Sequence, residues 1–243
     1  MEEIMPKIWK QESKPHLFCP GCGHAIALKQ LGYLIDETKN AEKITFGIDI
    51  GCSLLAWDFF NIDTVQTHHG RVVPVMVGYK ISKPGRIALA YMGDGAAYAI
   101  GLQSLLHAAL RNNPITAIVI NNENYAMTGG QMSPETMPGT ITMTTPTGKS
   151  SGFGPGLRGP EVIREVADDK AYIARTTVSN PIRLRETLRK AIENQTKNNS
   201  FSFVEILAIC PTNWKTDAKT SFARLKELED YYGIGEILPK EQK

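Results

Sequence analysis

One stretch constrains this chain more than any other: residues 88–131, ALAYMGDGAAYAIGLQSLLHAALRNNPITAIVINNENYAMTGGQ. It reads as strand, tight glycine turn, helix, strand and polar loop. Asp94 stands at the end of the first strand, and Asn122 at the end of the second, 28 residues later. In a right-handed βαβ unit those two ends lie side by side on one edge of the sheet. Gly93 and Gly95 flank the acid, so backbone can approach an anion with no Cβ in the way. The following helix points its free N–H groups at the same place. A magnesium ion carrying a diphosphate fits that edge.

The rest of the chain can be placed around it. Residues 86–92 and 115–121 are near-continuous apolar runs, as expected of strands buried on both faces of a parallel sheet. Further strands are expected over 44–49, 172–178 and 202–209. Helices are expected over 25–36, 54–60, 72–80, 98–111, 160–168, 181–197 and 222–232. Asn180 and Pro181 form a helix-start signal for the sixth of these. Alternating strands and helices predict a doubly wound, mostly parallel α/β fold. We read 1–243 as one domain, with an N-terminal arm over 1–15 that carries Trp9 and a C-terminal helix and tail over 215–243. The loop 133–160, rich in Thr, Gly and Pro, is long enough to be functional or mobile. Its Lys149 and Arg158 read as solvated loop charges.

Net charge is +2 in 243 residues, which makes no electrostatic case for nucleic acid or an anionic membrane. No apolar run reaches the ~18 residues of a spanning helix. The start, MEEIMPKIWK, has no apolar core like that of a signal peptide. A cytoplasmic location is the expectation. There the four cysteines, Cys19, Cys22, Cys52 and Cys210, suit metal or catalysis better than disulfides. A [4Fe–4S] cluster takes four thiolates. Structural zinc does too, though usually as two CxxC pairs. Spacing alone leaves cluster, zinc and unrelated buried cysteines open.

The motifs together resemble a known family. GDG, the NN pair and YxMTGGQ look like the thiamine-diphosphate motif. TGGQMSP, CPGCGH, GCS and CPTNW resemble the β subunit of 2-oxoacid:ferredoxin oxidoreductases, over Cys19 to Trp214. The resemblance implies thiamine diphosphate lined by Ile50, Gly51, Cys52, Ser53, His69, Gly93, Gly95, Ala96, Ala126 and Met127. It implies Mg²⁺ on Asp94, Asn122 and the Asn124 backbone carbonyl. It also implies a [4Fe–4S] cluster on Cys19, Cys22, Cys52 and Cys210. Cys52 lies in the turn expected to touch the diphosphate, which would make cluster and cofactor neighbours.

The implied reaction is oxidative decarboxylation of a 2-oxo acid to acyl-CoA and CO2, with electrons passed through the cluster to ferredoxin. No catalytic residue is assigned here. The glutamate that activates the cofactor belongs to a separate pyrimidine-binding domain, expected on a partner α subunit, possibly with further subunits. The FNIDTVQ and CPTNW stretches look closest to the 2-oxoisovalerate and 2-oxoglutarate types. The pattern departs at Ala96, where many relatives carry a second acid, and at Glu123 and Ala126, where small or glycine residues are more usual. Gly129 stands where some relatives have a lysine. The competing readings are a non-redox thiamine-diphosphate enzyme and a zinc-stapled scaffold domain. His24 reads as a helix-start polar residue, and Asp49 as either a buried acid or a cap.

Overall fold

The structure is a computed structural model that describes residues 5–12 and 15–239. Residues 1–4, 13, 14 and 240–243 of the expected arm and tail lie outside the described residues.

The chain runs through α1 (Gly23–Thr38), β1 (Ile44–Ile48), β2 (Asp63–Gln66), α2 (Val72–Ser82), β3 (Ile87–Gly93), α3 (Leu102–Leu110) and β4 (Thr116–Asn121). A hairpin of β5 (Asn124–Tyr125) and β6 (Gln131–Met132) follows, then α4 (Gly159–Arg164), β7 (Tyr172–Thr177), α5 (Pro181–Lys197) and β8 (Ser202–Leu207). The chain closes with α6 (Pro211–Trp214), α7 (Ala218–Tyr232) and β9 (Gly235–Glu236). The main sheet has the order β2-β1-β3-β4-β8-β7-β9, parallel throughout except where β9 pairs antiparallel with β7. The doubly wound α/β expectation holds.

Alternation along the central strands builds the two layers. Leu89, Tyr91, Ile118, Ile120, Val204 and Ile206 face a core shared with α1, α5 and α7. Ala88, Ala90, Met92, Ala117, Val119 and Phe203 face the other, shared with α2 and α3. Both faces are covered, so β4 and β8 are buried at every residue. Each such Leu, Ile or Phe contributes about 1.5–3 kcal/mol by leaving water.

Chain order reverses between β1 and β3: β1 leads outward to β2, while β3 leads the opposite way to β4. The crevice beyond the carboxyl ends at such a switch point is where open α/β sheets bind ligands.

Several expectations need correction. β2 was not anticipated because it is a polar edge strand with no apolar run. The helix expected over 54–60 is a 3₁₀ helix, Cys52–Asp58. The helix expected over 160–168 stops at Arg164. The tail does not merely trail from α7, because β9 returns to pair with β7. The helix expected from residue 98 starts earlier, with a π-helical turn, Ala96–Ile100, closed by the Gly101 N–H on the Ala96 carbonyl at 2.9 Å. Such wide turns often mark functional sites.

The described part of the arm packs on the domain. Trp9 is buried against Phe59, with ring centroids 4.5 Å apart, and bridges to Phe60. Among the described residues, no helix is long and apolar enough to cross a membrane.

Candidate functional site

A cavity of about 300 Å³ opens at the switch point. Three strand ends supply its walls: Ile50, Gly51, Cys52 and Ser53 beyond β1, Gly93 to Ala96 beyond β3, and Asn122 and Asn124 beyond β4. His69 reaches in from the loop before α2, and Ala126 and Met127 from the turn after β5. Every residue expected to touch the cofactor or magnesium therefore lies on one cavity.

Asp94 is buried at the floor. Its Oδ1 accepts from the Gly95 N–H at 2.7 Å, and its Oδ2 from the Asn122 N–H and the Ser133 hydroxyl, each at 3.3 Å. Burial pushes this carboxyl up to about 7, against the pull of those donors. Asn124 folds back so that its Nδ2 donates to the Asn122 carbonyl at 2.6 Å, while its buried Oδ1 lacks a hydrogen-bond partner. A desolvated acid beside an orphaned amide oxygen is a donor set that a hard divalent cation satisfies.

Gly93 and Gly95 differ in role. A Cβ on Gly93 would meet nothing within 4 Å, whereas one on Gly95 would overlap the Tyr125 ring. The absence of a side chain on Gly95 makes room for the tyrosine ring. Tyr125 and Thr128 line the cavity as well, and sequence reasoning passed over both. Tyr125 lies inside the YxMTGGQ motif, which was the available signal.

Asp49 is a buried acid. Its Oδ1 accepts from the Gly70 N–H at 3.0 Å and lies 3.2 Å from His69 Nδ1. It thus fixes His69 at the cavity wall. Burial raises its pKa, offset in part by those contacts. His24 is more than a polar helix start. It is buried, lines the cavity, stacks on Phe18 and bonds through Nδ1 to the Tyr91 hydroxyl at 2.7 Å. Burial drops its pKa to about 3, so the ring is neutral.

The cysteines gather beside this cavity. The Cys22 N–H bonds the Cys19 carbonyl at 3.1 Å, closing the CPGC turn. The Gly23 N–H bonds the Ile209 carbonyl at 3.0 Å, which pins that turn to the end of β8 next to Cys210. A Cβ on Gly23 would stand 2.6 Å from the Ala208 Cβ, so only glycine permits this approach. Asn213 Nδ2 lies 3.6 Å from the Cys210 sulfur. Burial pushes the Cys22 and Cys52 thiols up to about 12, and the charges of the other cysteines push the same way. Asp94 adds to the repulsion at Cys52 and Cys210. Among the described residues, no three His, Cys, Asp or Glu side chains converge tightly enough to hold a single metal ion. The four thiols are free, and Cys52 also faces the cavity.

The long loop is anchored at Lys149, where a solvated charge was expected, whereas Arg158 is exposed. Lys149 is buried, its ammonium donating to the carbonyls of Thr136 at 2.6 Å and Pro155 at 3.3 Å. Arg158 donates to the carbonyls of Tyr232 at 3.0 Å and Tyr231 at 2.5 Å, satisfying the end of α7.

An acid and two amides set at strand ends above a glycine turn make a site suited to a divalent cation and the phosphates it carries. The model of the thiamine pyrophosphate enzyme C-terminal TPP-binding domain matches residues 49–206. The 2-oxoglutarate synthase subunit KorB of Archaeoglobus fulgidus is 33% identical over 235 residues, covering 95% of this chain and 84% of that one. The ketoisovalerate oxidoreductase subunit VorA of Methanothermobacter thermautotrophicus is 34% identical over 214 residues, 86% of this chain. This chain spans about half the length, 45%, of that second relative. A solved 2-oxoglutarate:ferredoxin oxidoreductase from Magnetococcus marinus, with 2-oxoglutarate, coenzyme A and succinyl-CoA bound, superposes with a TM-score of 0.81 at 25% identity, covering 100% of this chain and 87% of that chain.

The chain belongs to the family of thiamine-diphosphate-binding β-type subunits of 2-oxoacid:ferredoxin oxidoreductases.

Proposed function

We propose that this chain is the diphosphate-binding and electron-transferring subunit of an oxidoreductase that converts a 2-oxo acid and coenzyme A to acyl-CoA and CO2, with ferredoxin as electron acceptor. One observation carries the reading: Cys52 lines the cavity beside Asp94, and burial together with the nearby Cys22, Cys210 and Cys19 raises the pKa of its thiol. A cofactor in that cavity and a cluster on those thiols would be neighbours.

Thiamine diphosphate would supply the electron sink for loss of CO2 from the 2-oxo acid. This chain's residues hold and shield it. Asp94, Asn122 and Asn124 would bind Mg²⁺, and Gly93 leaves room above the turn for the phosphates. His69, its Nδ1 held by Asp49 and the Ile50 carbonyl, keeps Nε2 for a ligand. Met127, about half-exposed at the cavity wall, offers an apolar support. Cys19, Cys22, Cys52 and Cys210 would carry a [4Fe–4S] cluster, which also relieves the repulsion among thiolates.

We place the activating glutamate on a partner α subunit, with the cofactor enclosed between the two chains. The names of the relatives make 2-oxoisovalerate and 2-oxoglutarate the first acids to try. A reducing, cytoplasmic setting suits the four thiols.

The test is anaerobic co-purification with the partner, then metal and sulfide analysis and a 2-oxo acid panel with coenzyme A and a viologen dye. Iron, sulfide and CoA-dependent dye reduction are expected. Zinc in place of iron would overturn the redox reading in favour of a stapled scaffold. CO2 release without dye reduction would favour a non-redox thiamine enzyme.

A further inference from the structure

Between the two asparagines of the proposed metal turn stands Glu123. Its backbone is left-handed, with φ at +62°, a conformation that disfavours side-chain-bearing residues. Its side chain is fully buried. A buried acid in that conformation persists only when its surroundings over-determine it.

They do so at four points. The Glu123 N–H donates to Asn121 Oδ1 at 3.1 Å, and its carbonyl accepts from the Thr136 hydroxyl at 2.6 Å. Oε1 accepts from the Met137 N–H at 2.8 Å, and Oε2 from Arg224 Nη2 at 2.9 Å. Arg224 in turn lies over the Trp214 ring, 4.4 Å from its centroid. Trp214 Nε1 donates back to the Asn122 carbonyl at 3.2 Å. The contacts form a closed circuit, from Asn122 through Glu123, Arg224 and Trp214 to Asn122 again. It joins the turn to α6 and α7, which lie about 90 to 100 residues away in sequence. Neither Arg224 nor Trp214 lines the cavity itself.

We propose that Glu123 is a positioning residue. Through Arg224 and Trp214 it holds the peptide between Asn122 and Asn124 so that both asparagines present oxygen to the same cation. The proposal rests on the magnesium reading of this turn. A purely structural anchor, fastening the 133–160 loop to α7, would use some of the same bonds. The circuit through the Asn122 carbonyl separates the two, because it constrains a donor residue and not the loop.

The test uses the complex purified anaerobically with its partner. Mn²⁺, as a paramagnetic stand-in for Mg²⁺, is titrated in the presence of thiamine diphosphate and read by electron paramagnetic resonance. Thermal unfolding is measured on every sample. Glu123→Ala and Arg224→Ala are expected to weaken Mn²⁺ binding about tenfold or more, the size of loss usual for a group that orients a metal ligand. Glu123→Gly accepts the left-handed backbone without strain, and it is expected to weaken binding equally because the carboxylate is gone. Trp214→Phe keeps a ring and removes only the N–H, and it is expected to weaken binding by a smaller factor. Arg158→Ala loosens the same loop from α7 and is expected to lower stability while leaving Mn²⁺ binding unchanged. Wild-type binding in both Glu123→Gly and Arg224→Ala would overturn the positioning role and leave the magnesium site standing. Failure of the wild-type complex to take up Mn²⁺ would remove both.

Discussion

The ring of Tyr125 fills the space beside Gly95, and a Cβ on that glycine would overlap three of its ring carbons. The glycine of the GDG turn and the tyrosine of the following hairpin are thus shaped to each other. Gly95→Ala should push the ring into the cavity. The expected cost is about 1–3 kcal/mol of overpacking, together with a marked drop in retained thiamine diphosphate. Urea unfolding and a fluorescence assay of extracted cofactor check the two arms, and unchanged cofactor content would mean the ring moves elsewhere.

The cysteines make different contacts, so their loss should differ. Cys210→Ala is expected to lower bound iron and sulfide while leaving thiamine diphosphate in place. Cys52→Ala is expected to lower both iron and cofactor, because Cys52 faces the cavity. Full iron occupancy in Cys210→Ala would reduce that residue to core packing.

Asp94 predicts a pH effect whose sign depends on the cation. Its folded pKa of about 7 stands above an ordinary 3.8. In metal-free protein the folded state therefore keeps a proton that the unfolded state has released, and stability falls as pH rises through that window. Asp94→Asn should unfold at a higher temperature than wild type at pH 8, with the gap closing towards pH 4. Saturating Mg²⁺ and thiamine diphosphate should reverse the order at pH 8, because ligand stabilises only the protein that binds it. If the order stays the same, Asp94 is not a ligand.

Lys149 should hold the loop. Lys149→Met keeps the stem and removes the ammonium that two carbonyls share, leaving them without a donor. A loss of about 1–3 kcal/mol is expected, with faster proteolytic cleavage between residues 137 and 155. Equal cleavage rates would mean that other contacts carry the loop.

Much of the site is legible in the sequence because it depends on local pattern. Asp94 and Asn122 each close an apolar run, and a right-handed crossover brings the ends of such runs together. The residues that needed the structure owe their roles to distant partners. Asp49 depends on the Gly70 N–H, His24 on the Tyr91 hydroxyl, and Lys149 on two carbonyls of its own loop. β2 hid for another reason: an edge strand exposed to water has no need of an apolar run. Glu123 looks like a departure from pattern, yet its backbone and carboxylate make four hydrogen bonds. An acid at a left-handed position has no local signature, since Arg224 lies 101 residues away.

The bond from Gly23 to Ile209 bears on how the proposed cluster would be installed. Backbone, not sulfur, brings the CPGC turn to the end of β8, and the core beneath it is hydrocarbon. The fold should thus stand ready before any inorganic chemistry begins, unlike a zinc finger, which collapses only around its ion. A cluster on these thiols, as proposed above, would then enter a finished receptacle.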